Sequence, residues 1–206
     1  MSIVFLDFET SGLNPYHDDI IEIAVKQMNT NISFSTLVKP KSDECISEHI
    51  SALTNITNQL LREKGNDWKE AYIKLNEFLK EIIKSSSDNK LYIVAHNGET
   101  FDFIFLKRIF NELKNLNIKT IPFKNIVLID SLLFAKRLLK RDYYKQVSLC
   151  KSYNINTNGS HGALNDVKAL EELFIVFGNL LDKNLNKRRK VLENPQMIYD
   201  YIHFKV

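Results

Sequence analysis

At 206 residues, 44% hydrophobic and 26% charged, the chain can bury a sizeable core, which excludes disorder as a whole. Six Gly and four Pro exclude collagen-like and Pro-rich classes, and no apolar run is long enough to cross a bilayer. The 28 Lys and Arg exceed the 25 Asp and Glu by three, yet from Lys183 onward six cations accompany only two anions, so a near-neutral body carries a basic tail.

Residues 3–9 (IVFLDFE) read as a strand that is apolar until its carboxylates appear, and Thr10 to Pro15 breaks it with turn formers. Residues 20–27 (IIEIAVKQ) and 32–38 (ISFSTLV) read as two further strands. The short polar link between them suits an antiparallel hairpin. Residues 41–66 are polar with apolar patches, expected to form short helices and loops. Trp68, Ala71, Tyr72, Leu75, Phe78, Leu79 and Ile82 then mark a helical stripe. Residues 91–95 (LYIVA) predict a buried strand and 101–113 a helix, followed by a strand at 126–129 and a helix at 131–139. Helical spacing returns at 147–153 and 163–181. The order predicts an α/β layer with a mixed sheet whose antiparallel part comes first. No linker precedes residue 183, so one domain is expected over 1–182, with 183–206 as a basic and aromatic extension packing back on it.

Three clusters carry chemistry. Asp7 and Glu9 are two apart on a strand, so both carboxylates project from one face. Taken alone, such a pair is ordinarily a strand end emerging into solvent; if recessed, it calls for a cation such as Mg²⁺ or Mn²⁺. Ala95-His96-Asn97-Gly98-Glu99-Thr100-Phe101-Asp102 joins a buried strand to a helix, which puts Asp102 near the first helical turn. The plain account there is an acid complementing the helix dipole, although loops at the C-terminal ends of strands are where open α/β folds build sites. His161, in a polar loop, precedes Asp166 in the first turn of the long helix. If Asp166 faces a metal, His161 is placed to take a proton from an attacking water.

Together and in this order, Asp7-Phe8-Glu9-Thr10-Ser11-Gly12-Leu13, then Ala95-His96-Asn97 with Phe101-Asp102, then His161-x-Ala163-x-x-Asp166 resemble the three motifs of the DEDDh (DnaQ-like) 3′–5′ exonucleases. That family includes the polymerase III epsilon proofreading subunit and the Trex-like three-prime repair exonucleases. Ile50 to Thr57 resembles a segment that often reads Gly-Ile-Thr, with Asn55 in place of Gly. Ile129-Asp130-Ser131-Leu132 resembles an Asp-Thr-Leu strand end. The resemblance implies an RNase H-like fold, a five-stranded mixed sheet flanked by helices. It implies Asp7, Glu9, Asp102 and Asp166 as holders of two divalent cations, Mg²⁺ or Mn²⁺, and His161 as general base. It further implies that Leu13, Asn97, Phe101 and the backbone around Thr10 grip the terminal nucleotide. For Phe101 a core role at the helix start stands open beside stacking on the base.

The implied reaction is hydrolysis of phosphodiester bonds from the 3′ end of single-stranded nucleic acid, releasing nucleoside 5′-monophosphates. The wording of the first two motifs favours DNA, with RNA trimming as the alternative, since the chemistry at phosphorus is shared and the 2′-OH is read by other groups. A non-catalytic nucleic-acid-binding module on the same fold is a further alternative, opposed by the presence of all four acids and the histidine. A haloacid-dehalogenase phosphatase, faintly echoed by Asp7-Phe8-Glu9-Thr10, is set aside because a second Asp is needed where Glu9 stands. The N-terminus lacks a basic n-region or cleavage site, and Cys45 and Cys150 have no ligand-like spacing. The expectation is an intracellular protein, cytoplasmic or nuclear, with no membrane partner. The run Lys187-Arg188-Arg189-Lys190 is open to three readings: an approach path for the strand, a helix end complementing its dipole, or a nuclear-import patch.

Overall fold

The computed structural model describes residues 2–42, 44–157, 162–185 and 191–204. Strands β1 (Ser2–Thr10), β2 (Ile20–Gln27), β3 (Ser33–Leu37), β4 (Leu91–Ala95) and β5 (Ile126–Asp130) form one sheet in the order β3-β2-β1-β4-β5. The first three are antiparallel neighbours, and β4 and β5 extend the sheet from β1 in parallel. This is the mixed sheet expected, antiparallel part first.

Around it lie α1 (Glu48–Thr54), α2 (Asn58–Lys64), α3 (Trp68–Lys84), α4 (Asp102–Asn115), α5 (Ser131–Leu138), α6 (Gln146–Ser152), α7 (Ala163–Asn184) and α8 (Pro195–His203). β1 is central and apolar on both faces, and its alternation separates the two larger cores; a third, smaller one joins Ile21 to Ile46, Ile50, Ile56 and Leu61. Val4, Leu6 and Phe8 pack with Leu75 and Leu79 of α3 and Phe105, Leu106 and Ile109 of α4. Ile3 and Phe5 point the other way, to Phe134 of α5 and Leu170 and Phe174 of α7. There the rings of Phe5 and Phe174 meet edge to face at 5.6 Å. Side-chain period 2 therefore carries Asp7 and Glu9, in step with Ile3 and Phe5, onto the face that α7 covers.

The polar stretch between β3 and α3 holds two short capped helices. Ser47 Oγ accepts from the Ile50 amide at 3.2 Å, and Thr57 Oγ1 from that of Leu60 at 3.0 Å. Between them Asn55 ends α1 in the left-handed region (φ 58°, ψ 17°), where the resembling segment carries Gly. Asn tolerates this conformation because its short amide bonds locally, whereas a Cβ without that recourse costs about 1–2 kcal/mol. Asn55→Ala is therefore expected to lower the melting temperature by about 2–8 °C, with Asn55→Gly near wild type, as read by thermal unfolding. Equal melting temperatures for Ala and wild type would remove the backbone argument.

The C-terminal aromatic stretch forms α8, opened by Pro195 at its first turn. Ile198 and Ile202 enter the core shared by α5 and α7, and the Arg137 guanidinium donates to the Ile202 carbonyl at 3.1 Å. The basic run Lys187 to Lys190 lies outside the described residues. Among the described residues no helix is long and apolar enough to cross a membrane.

Candidate active site

Asp7 and Glu9 leave β1 towards α7, whose first turn brings Asp166 to meet them. One carboxylate oxygen from each of the three lies within 4.8 Å of the other two. The strand ends there: an irregularity in pairing with β2 falls between Glu9 and Thr10, which releases the chain into the following loop. Asp102 stands outside that 4.8 Å group and arrives from the opposite helical layer, as the first residue of α4. It is 3% exposed, and its Oδ1 accepts the Phe8 amide of β1 at 3.2 Å. It is thus more than a dipole-complementing acid. It fastens α4 to the strand that carries the other two carboxylates.

The electrostatics follow from this crowding. Burial, then Asp102, then Glu9 and Asp166 hold the Asp7 carboxyl well above the usual range. Burial followed by the charges of Asp166, Glu22 and Asp102 pushes Glu9 up to about 8. Burial raises Asp102 to about 7 despite the Phe8 amide, which favours its charged form. Among the described residues no ion pair reaches Asp7, Glu9 or Asp102. A set of carboxylate oxygens gathered from Asp7, Glu9 and Asp166, with raised pKa values at Asp7 and Glu9, fits a hard divalent cation.

The flanking loops are braced from a distance. Thr10 is buried and its hydroxyl donates to the Gly12 carbonyl at 2.6 Å. A Cβ at Gly12 would sit 2.4 Å from the Asp18 carboxylate, which accepts from the Asn14 amide, so any side chain there would push Asp18 aside. Arg108 of α4 donates to the carbonyls of Pro15 and Asp18 at 2.7 and 2.8 Å, fixing the loop from outside. The result presents Leu13 with 82% of its surface exposed, unlike a core leucine. On the other side, Asn97 is exposed in the left-handed region (φ 65°). Phe101 is half-buried, packs on the α3–α4 core and meets Phe105 edge to face at 5.1 Å.

His96 is occupied. Its Nε2 bonds the Tyr144 carbonyl at 2.8 Å and its Nδ1 the Ser131 hydroxyl at 2.8 Å. A carbonyl can only accept, so Nε2 carries the proton; burial lowers the pKa and favours this neutral ring. His161 lies outside the described residues.

Two residues, Arg108 and Glu22, escape the sequence reading, and a third, Asp130, appears there as part of a strand end without a role. Asp130, 2% exposed at the end of β5, accepts the amides of Asn97 and Glu99 at 3.0 Å each and that of Leu132 at 2.8 Å, so it shapes the Asn97 turn. Arg108 braces the Leu13 loop. Glu22 of β2 lies directly across from Glu9 and accepts the Ala163 amide at 3.1 Å. The one available signal for Glu22 was a single acid inside the apolar run IIEIAV.

Comparison with known proteins agrees with this architecture. The family model for exonucleases of the RNase T type matches residues 4–174. A DNA polymerase III of PolC type from Thermotoga petrophila is 32% identical over 207 residues, covering 99% of this chain and 14% of that protein. The chain thus spans about one seventh of the length of that relative. A ribonuclease T from Buchnera aphidicola is 27% identical, covering 83% of this chain and 81% of its own length. Among solved structures, E. coli Exonuclease I in complex with a dT13 oligonucleotide superposes with a TM-score of 0.72 at 18% identity, over 90% of this chain and 42% of that one. That likeness establishes the shared RNase H-like exonuclease fold.

Proposed function

The chain belongs to the RNase T-type exonuclease family, the DEDDh exonucleases, and on that premise we propose that it removes nucleotides one at a time from the 3′ end of single-stranded DNA. The observation that carries the reading is the recessed group of Asp7, Glu9 and Asp166, three carboxylates within 4.8 Å, with Asp102 tied to the same strand. In this reading the four acids hold two divalent cations, Mg²⁺ or Mn²⁺. Such ions, when bound, favour ionisation of an attacking water and stabilise the charge developing on the leaving 3′ oxygen.

The chain's own residues do the rest. His161 takes the proton of the attacking water. Leu13, held out on its braced loop, wedges against the terminal base, and Phe101 offers its half-buried ring beside it. Asn97 and the backbone around Thr10 hold the terminal sugar and phosphate, and Asp130 keeps the Asn97 turn in place through the amides of Asn97 and Glu99. The product is a nucleoside 5′-monophosphate. Residues 1–182 act as the exonuclease domain and 183–206 as its extension.

DNA is favoured because the Thermotoga relative is a DNA polymerase and the Exonuclease I neighbour was solved with dT13. The ribonuclease T relative, matched over most of its length, supports the second reading, RNA trimming on the same machinery. The test is digestion of matched 3′-ended DNA and RNA oligomers with Mn²⁺ and with EDTA. Mononucleotide release from DNA that stops in EDTA is the expected result. Faster release from RNA would establish the second reading, and cleavage surviving EDTA would sink the metal mechanism. In the same assay His161→Ala is expected to cut the rate by about 10²–10⁴ while keeping Mn²⁺ binding. Parallel loss of metal affinity would make His161 a ligand instead.

A further inference from the structure

Glu22 adds another carboxylate beside the acidic cluster, and its own pKa is raised by burial above all. Its placement explains why an acid stands there. Period 2 along β2 turns Glu22, Ala24 and Lys26 to the face covered by α7. Glu22 accepts the Ala163 amide at the first residue of α7. Ala24 is small and fully buried, which lets the helix lie close. Lys26 pairs with Glu171, whose other oxygen accepts the Asn29 amide at 2.6 Å. The spacing agrees: eight helical residues from Ala163 to Glu171 rise about 12 Å, and four strand residues from Glu22 to Lys26 about 13 Å. The helix is therefore pinned to β2 at two points of equal separation.

We infer that Glu22 is a positioning residue for the reaction proposed above: its hydrogen bond to the Ala163 amide fixes the height and rotation of α7's first turn, and so delivers Asp166 to Asp7 and Glu9. The inference rests on the metal-dependent reading of the site. Glu22 touches no reacting group; Asp166 lies three residues beyond the amide it holds. What matters is reach and an acceptor oxygen, while its charge opposes the arrangement by repelling its neighbours.

Two substitutions separate reach from charge. Glu22→Gln keeps the length and an acceptor oxygen but removes the charge. Glu22→Asp keeps the charge but is one methylene short of the amide. Each is compared with wild type and Glu22→Ala for the Mn²⁺ needed for half-maximal cleavage, and for Mn²⁺ binding followed by calorimetry and thermal shift without substrate. Loss of a group that orients metal ligands lowers metal affinity about 10–100-fold, so Ala and Asp are expected to need that much more Mn²⁺, with Gln within about threefold of wild type. A purely structural residue would lower the metal-free melting temperature and leave Mn²⁺ affinity alone, which would overturn the inference. Gln weakened as much as Ala would overturn it too, by assigning the effect to charge. If Ala fails to fold, the Asp and Gln pair still decides. A wild-type protein that shows neither a Mn²⁺ response nor cleavage would sink the metal reading itself, and the role of Glu22 with it. An intact wild-type response, unchanged in Asp, would sink only the latter.

Discussion

Asp7→Asn is expected to lose Mn²⁺-dependent cleavage by at least about 10³-fold while the metal-free protein melts no lower than wild type. Asp7 is the hub of the cluster: its carboxylate is within 4.8 Å of those of Glu9 and Asp166, and Asp102 is the charge that acts on it most strongly. Removing that charge relieves repulsion from every side, so activity and metal-free stability should move in opposite directions. Glu9→Ala and Asp166→Asn are expected to behave similarly. Asp102 differs, because it also satisfies the buried Phe8 amide. Asp102→Ala leaves that donor unpaired and should lower stability by about 1–3 kcal/mol, whereas Asp102→Asn retains an acceptor. Cleavage rates in Mn²⁺ and melting temperatures in EDTA check the set. Full activity in any variant would remove that residue from the ligand set, and a lower melting temperature for Asp7→Asn would give Asp7 a structural role.

In EDTA the protein is expected to lose stability as the pH rises from about 5 to 8, and Mn²⁺ to reverse the loss. The sign follows from the raised carboxyls. Glu9 titrates at about 8 and Asp102 at about 7 in the fold, against 4.5 and 3.8 for the ordinary groups. Between those limits the folded state holds protons that the unfolded chain has released, so raising the pH favours unfolding. A divalent cation competes for the same oxygens and binds more tightly as they ionise. At a hundredfold excess over its dissociation constant it adds about 2.7 kcal/mol, or about 5–10 °C in melting temperature for a chain of this size. The shift should therefore be larger at pH 8 than at pH 6, and Glu9→Gln should flatten the slope in EDTA. Thermal unfolding at the two pH values, with and without Mn²⁺, measures both. A Mn²⁺ shift equal at pH 6 and 8 would show that these carboxyls are not the groups the ion engages.

Much of this was legible because it rests on local periods. The alternation of β1 is enough to put Asp7 and Glu9 on one face, and the apolar stripe of Trp68 to Ile82 is enough to make α3. That the sheet is mixed, with its antiparallel strands first, followed from the sequence of elements. What escaped depends on register and long-range contact. Glu22 becomes a neighbour of Glu9 only once the β1–β2 pairing is set, and a one-residue slip would send it to the other face. Asp130 gathers amides from a loop more than thirty residues earlier. Nothing in the local sequence marks Arg108 of α4, yet it bonds two carbonyls some ninety positions away. The sequence predicts packing of the C-terminal stretch but no helix there, because two buried isoleucines four apart are too few to define a period.

The cluster also bears on kinetics. Asp7 and Asp166 lie far apart in sequence, so ions held between them would act as a clasp closing a long loop. Both cysteines are free, and no disulfide does this among the described residues. A disulfide stabilises largely by restricting the unfolded chain. An ion clasp has no such effect, because scattered carboxylates in an unfolded chain do not retain it. Contacts of such large sequence separation carry the highest loop-closure cost and form late in folding. Mn²⁺ should then leave the folding rate nearly unchanged and slow unfolding. Chelation would thus shorten the lifetime of the native state, loosening the α7 seam first, while a chain folding without metal would reach the same structure at the same speed.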